Sequence, residues 1–213
     1  MSVGTDGYPV IWSSTDTQVQ VDALVPNDTT VIGFNYINGN SVSFQNNNGE
    51  VTIPWNDSYA VTDKFTIEAY INVNSAQNYE GFLDFGNHSV DTLQQRGFGF
   101  FLYSGGWRFY LKTTETNYDD IGYLVASASI NTWVHFAVTL KNENLTLYRD
   151  GIFVDSTDYE GTVDWSGFSG DLKLGSFNKT ETKFFDGKID EVRFWNIARD
   201  ENLIKAYKGV ALN

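Results

Sequence analysis

"KFTIEAYINV", Lys64 to Val73, alternates apolar and polar residues without a break. A β-strand turns successive side chains to opposite faces. Phe65, Ile67, Ala69, Ile71 and Val73 are therefore expected to face a core, and Thr66, Glu68, Tyr70 and Asn72 to face the other way. "WVHFAVTLK", Trp133 to Lys141, repeats the design, with Val134, Phe136, Val138 and Leu140 inward and His135, Ala137 and Thr139 outward. It runs into "NENLTLYRDGIFVDS", Asn142 to Ser156, where two short β-like runs flank Asp150-Gly151. That dipeptide tolerates positive φ and so predicts a tight hairpin.

Further runs of the same kind extend through the chain: "SVSF", "EVTI", "GFLDFG", "GFGFFLY", "WRFYLK", "GYLVAS" and "LKLGSF", separated by Gly, Asn, Asp and Ser clusters. Many short strands with frequent turn residues predict an all-β sandwich or barrel. An aromatic share of 16% agrees, because aromatic rings fit a pleated, half-buried surface. The 213 residues carry no internal repeat and only three prolines, with no linker that would divide them, so one domain is expected. Residues 1–36 hold two weaker strand candidates, "TQVQVDALV" and "TVIGFNY", and read as added strands or a docking arm before a main domain over 37–213. At the other end Asp200 is a helix cap and Glu201 complements the helix dipole. Leu203, Ile204 and Tyr207 recur at helical spacing before Gly209, which predicts one short terminal helix.

Charge narrows the partners. Fourteen basic residues against 27 acidic ones leave a net charge of −13, which repels a phosphate backbone, so nucleic acid is not an expected partner. No apolar run is long enough to span a membrane, and the absence of cysteine excludes disulfides and thiolate metal sites. The first basic residue is Lys64, so no basic-then-apolar export signal is visible.

The stretch "FFDGKIDEVRFWNIARDENL", Phe184 to Leu203, contains five carboxylates. In a strand, Ile189 and Val192 point inward while Asp190 and Glu191 fall near opposite sides. Glycoside hydrolysis needs two carboxyl groups projecting into one cleft, and strand neighbours fail that requirement. Gly187 to Asn196, followed by Ala198, Asp200 and Tyr207, resembles the last strand and closing helix of laminin-G-like, concanavalin A-like jelly-roll domains. "KFTIEAYINV" is similar to that family's early core strand, "NTWVHFAVTLKNENLTLYRDGIFV" to its central hairpin, and "GDLKLGSF" to the strand before its final loop. The resemblance covers roughly Ser41 to Gly209 and implies an all-β, two-sheet antiparallel jelly-roll sandwich with one short C-terminal helix. It also implies a structural calcium at Asp190. "FQNNNGEV" offers Asn46, Asn48 and Glu50 as oxygen donors of the kind calcium takes. The alternative is that Asp190 and Glu191 cap a turn or pair with Arg193 and Lys188.

Relatives of this fold include glucanases and lyases, but the Glu-x-Asp-x-x-Glu strand of such glucanases does not occur here, nor does a lyase-like cluster. The two histidines, His88 and His135, have no obvious Ser or Asp companion in sequence and read as structural, and Asp119 and Asp120 read as a solvated loop. No catalysis is expected. Sugar recognition, by contrast, needs aromatic rings for pyranose faces and planar polar groups for hydroxyls. Alternation sends Arg108 and Tyr110 outward, and Tyr103, Tyr70 and Glu68 are expected to share that side as a platform. Trp107 and Trp165, near Gly-rich turns, are further candidates, whereas Trp133 and Trp195 are assigned to the core. The expected function is a non-catalytic carbohydrate-binding or adhesion module, at a cell surface, outside the cell or on a virion. The alternatives are aromatics that merely cover a neighbouring layer, or a subunit of a virion or surface assembly that docks a protein partner through residues 1–36.

Overall fold

The computed structural model describes residues 41–44, 49–75, 80–86, 96–115, 128–168, 170–177 and 184–209, and the backbone alone of 10–15, 18–23, 31–34, 126–127 and 183. In chain order the strands are β1 (Val10–Thr15), β2 (Gln18–Ala23), β3 (Val31–Phe34), β4 (Val42–Phe44), β5 (Val51–Ile53), β6 (Lys64–Val73), β7 (Gly81–Gly86), β8 (Gly97–Tyr103) and β9 (Gly106–Leu111). They continue as β10 (Ala126–Ser127), β11 (Trp133–Lys141), β12 (Asn144–Arg149), β13 (Ile152–Asp158), β14 (Leu172–Leu174), β15 (Ser176–Phe177), β16 (Lys183–Phe184) and β17 (Gly187–Trp195). Helix α1 (Glu201–Tyr207) closes the described chain.

A large sheet runs β13-β12-β11-β6-β17-β3-β1-β2, with β4 beside β17, and a small sheet runs β10-β9-β8-β7-β14-β5. Among the described strands pairing is antiparallel apart from the parallel contact of β1 with β3, and an isolated parallel bridge joins Val73 to Ile130. The backbone strands of the first 36 residues continue the large sheet beyond β17, through the pairing of β3 with Arg193–Trp195. The arrangement is the two-sheet antiparallel jelly-roll sandwich that the family resemblance implied, and it agrees with the alternation.

Each sheet turns its apolar rows inward. Phe65 stacks on Phe98 at 4.7 Å, Phe98 on Phe109 at 5.6 Å, and Phe136 meets both Phe100 and Trp107 edge to face. Each fully buried ring of this kind contributes about 2–3 kcal/mol by leaving water. Trp107, expected on the surface, is 1% exposed and belongs to this core. Trp133, expected in the core, is 41% exposed. The alternation that buries Val134 also turns Trp133 out, and ring size does not override strand phase.

The Asp150-Gly151 turn forms as predicted, with φ of 54° and 76° linking Arg149 to its partner Ile152. On β17 the spacing Ile189, Val192, Phe194 breaks the period of two, and the backbone absorbs the extra residue as a bulge. Tyr70 faces Asp190 and Glu68 faces Arg193, so Glu191 and Val192 share the place opposite Ala69. Glu191 takes φ of 50°, and its N–H donates to Asp190 Oδ1 at 2.8 Å. The bulge keeps Val192 and Phe194 in the core and turns Arg193 outward.

Helix α1 lies on the outer face of the large sheet. Asp200 caps it, accepting from Leu203 N–H at 2.9 Å. Only Ile204 of the helix is buried, whereas Leu203 and Tyr207 are exposed.

Candidate functional site

The predicted platform divides between two faces. Tyr103 and Arg108 stand on the outer face of the small sheet, while Tyr70 and Glu68 stand on the outer face of the large one. Alternation tells inward from outward along a strand, but a sandwich has two outward faces.

On the small sheet, Tyr110, Gly99, Asp84, Lys173 and Thr52 are cross-strand neighbours in one row. The Tyr110 ring lies over Gly99, where any Cβ would meet it at 2.3 Å, and its hydroxyl donates to Asp84 Oδ1 at 2.7 Å. Burial, then the Asp84 charge, holds this phenol well above its ordinary pKa. Phe177 packs edge-on against Tyr110 and stacks on Phe101 at 4.3 Å. Tyr110 is consequently 1% exposed and is not an open platform residue. Beside it the half-buried Arg108 holds its guanidinium 4.3 Å over the half-buried Tyr103 ring. Trp165 is half-buried at one end of the sandwich, against Trp55 and Phe168, and its indole N–H donates to Val61 O.

On the large sheet, Glu68 is 1% exposed and cannot serve as a surface ligand. Its carboxylate takes Arg199 Nη1, receives Trp195 Nε1–H at 2.9 Å, and stands 3.7 Å from Arg193 Nη1 and 3.5 Å from His135 Nε2. Burial would raise the Glu68 pKa, but His135 and the two guanidinium charges outweigh it and hold the carboxyl below its usual range. The same arginines reach the helix: Arg193 donates to Tyr207 O at 2.9 Å and Arg199 to Leu203 O at 3.0 Å. Tyr207 O is one of the carbonyls that a helix end leaves without an intrahelical partner, and Arg193 supplies its donor. Glu68 thus fixes α1 to the sheet. Tyr70, half-buried, meets the His135 ring edge-on at 4.9 Å. His135 is 1% exposed, and Glu68 is the carboxylate neighbour that its sequence context did not show.

Of the calcium candidates, Asn46 and Asn48 lie outside the described residues, as do His88, Asp119 and Asp120. Glu50 does not fit the set: Lys173 Nζ lies 3.0 Å from both its oxygens, and Ser176 Oγ donates to it at 2.7 Å. Asp190 fits better. It is half-buried, among the described residues it accepts only the Glu191 N–H, and burial pushes its pKa up to about 6. Glu191 instead pairs with Arg193 at 2.7 Å. Among the described residues no three acidic or histidine side chains gather as a metal cluster. Behind the bulge, Val42, Phe44, Val51, Leu174, Ile189 and Val192 line a small, chiefly apolar cavity of about 20 Å³, room for about one water.

Sequence reading missed Asp84 and Lys173, which only strand register brings into the Tyr110 row. It also missed the exposed Trp133.

Among the described residues no helix is long and apolar enough to cross a membrane. No curated protein sequence matches the chain. Among solved structures it is similar to the CBM40 of the Ruminococcus gnavus IT-sialidase, solved with α2,3-sialyllactose. That match has a TM-score of 0.63 and 16% identity, and covers 84% of this chain and 98% of that one. It is similar to the binding domain of botulinum neurotoxin DC, solved with SialylT, at a TM-score of 0.63 and 16% identity. This second match covers 94% of the chain but only 50% of the toxin domain. A third similarity is to domain 4 of an extracellular arabinanase from Geobacillus stearothermophilus, solved with arabinotriose, at a TM-score of 0.54 and 14% identity over 84% of this chain and 86% of that one. At such identities the likeness is one of fold. The family model for the concanavalin A-like lectin/glucanases superfamily matches residues 45–205, most of the chain, and with the sandwich in hand the protein belongs to that superfamily.

Proposed function

We propose that the protein is a non-catalytic carbohydrate-binding module working outside the cell or at a surface, and that it holds glycans on the outer face of the small sheet. The observation that carries this reading is the Arg108–Tyr103 pair. A guanidinium held over a ring keeps a planar, forked donor in place, the geometry that vicinal hydroxyls or a sugar carboxylate can accept. Lys173, half-buried in the adjoining row and paired with Glu50, adds a second cation to this face. The glycans bound by domains of similar fold support the reading. Catalysis is left out of it because the acids described on this face are already engaged, Asp84 by Tyr110 and Glu50 by Lys173.

The test is a glycan array probed with the purified protein, followed by calorimetry on any ligand found. Arg108→Ala should weaken binding while leaving the fold intact. An array with no bound glycan would overturn the carbohydrate reading, and release of new reducing ends from a bound oligosaccharide would overturn its non-catalytic part.

A second reading concerns calcium, and Asp190 favours it. Among the described residues this half-buried carboxylate stands in no ion pair, and a bound cation would neutralise the charge that burial penalises. Thermal unfolding with EDTA and then with added calcium tests it. A rise in midpoint that Asp190→Ala abolishes would support the site, and an unchanged midpoint would retire it.

A further inference from the structure

Helix α1 covers the Glu68 part of the large sheet's outer face and leaves the next rows open. There Trp133, Asn72, Lys188 and Ser43 are direct cross-strand partners on β11, β6, β17 and β4. They share one face by register, and at about 4.8 Å per strand the row spans about 14 Å. The Trp133 ring is 41% exposed, Lys188 and Ser43 are exposed, and Asn72 is half-buried. Among the described residues no hydrogen bond or ion pair holds the Asn72 amide, the Lys188 ammonium or the Trp133 indole N–H. One row further, Asn74 donates to Asp186 Oδ1 at 3.0 Å and forms a fixed polar rim.

An apolar peptide partner would need a continuous apolar face. Here a single indole is followed by an amide, an ammonium and a hydroxyl. This order matches a molecule with one apolar face and a fringe of hydroxyl groups. We propose that the Trp133 row is a second binding site, which takes a pyranose oligosaccharide with one sugar ring stacked on Trp133 and hydroxyls held by Asn72, Lys188 and Ser43. This inference concerns the sheet opposite to the Arg108 site and stands or falls separately from it.

The experiment titrates isotope-labelled protein with cellotriose, xylotriose, mannotriose, chitotriose and 3′-sialyllactose, following the Trp133 indole N–H resonance, which Trp133→Phe assigns. At least one probe is expected to move that resonance. Trp133→Ala should then weaken binding of that probe about tenfold, while Trp133→Phe keeps most of it. Asn72→Ala and Lys188→Ala, on an exposed row, should weaken it with an unchanged unfolding midpoint, so the result does not hinge on the tryptophan alone. Loss in Trp133→Ala with full binding in Arg108→Ala supports this site and removes the small-sheet one. The reverse pattern overturns this inference and leaves the small-sheet site standing. No probe moving the resonance overturns it outright.

Discussion

Glu68 and Asp190 stand on the same outer face of the large sheet, in adjacent rows where β6 meets β17, and their environment shifts them in opposite directions. Glu68 is the more deeply buried, yet its carboxyl is held below the usual range, because two arginines and a histidine converge on it. Asp190 is only half-buried, yet burial raises its pKa to about 6, because the Glu191 N–H that it accepts and the more distant Arg193 charge do not offset the desolvation. Depth alone therefore does not decide the protonation state; the company a carboxylate keeps decides it. Asp84, in the small sheet, is buried and accepts a hydrogen bond from a neutral phenol.

The largest effect should come from removing the best-partnered acid. Glu68→Gln leaves Arg193 and Arg199 buried beside a neutral amide and should cost about 3–5 kcal/mol, lowering the unfolding midpoint by roughly 10 °C. Because the folded pKa of Glu68 is depressed, its contribution is present above the ordinary carboxylate pKa and fades as pH falls through the lower folded value. Loss of α1 amide protection in acid, ahead of the core strands, would show that the cluster is what holds the helix. Wild-type-like stability in Glu68→Gln would break the comparison.

Tyr110→Phe removes one donor from Asp84 without opening a cavity and should cost about 1–2 kcal/mol, measurable by chemical denaturation. A cost equal to that of Glu68→Gln would mean that a neutral donor matters as much as two guanidinium groups.

These contrasts were partly legible in the sequence. The alternation in Lys64–Val73 and Trp133–Lys141 marks both central strands and the inward rows, because the strand period leaves little freedom. The odd step from Ile189 to Val192 already contained the bulge, and Asp150-Gly151 contained its turn. Asn142 and Glu143, at φ of 51° and 61°, make a similar tight turn, which Asn142 suits but Glu143 does not announce. What the sequence withheld was the assignment of faces to sheets. Tyr70 and Tyr103 both alternate outward, but register alone places them on opposite sides of the sandwich. Glu68 read as a surface ligand because its cover, Arg199 and α1, lies more than a hundred residues away in the chain.

Asp190→Asn gives the smallest effect and the sharpest test. The amide keeps an oxygen for the Glu191 N–H and removes the charge. The folded pKa of about 6 lies above the unfolded value near 3.8, so the protonated form is favoured by folding. Ionised Asp190 begins to cost stability above about pH 4, and the cost levels off above pH 6. The Asp190→Asn variant should therefore match the wild type near pH 4 and exceed its stability by about 1–2 kcal/mol at pH 7.5, the partial exposure reducing the full value of the shift. That gain should hold in EDTA. If calcium binds at Asp190, saturating calcium stabilises only the wild type, and the gain shrinks or reverses. A gain indifferent to calcium would leave Asp190 a carboxylate that the bulge holds against its own charge, and a variant without any gain would show that solvent already relieves it.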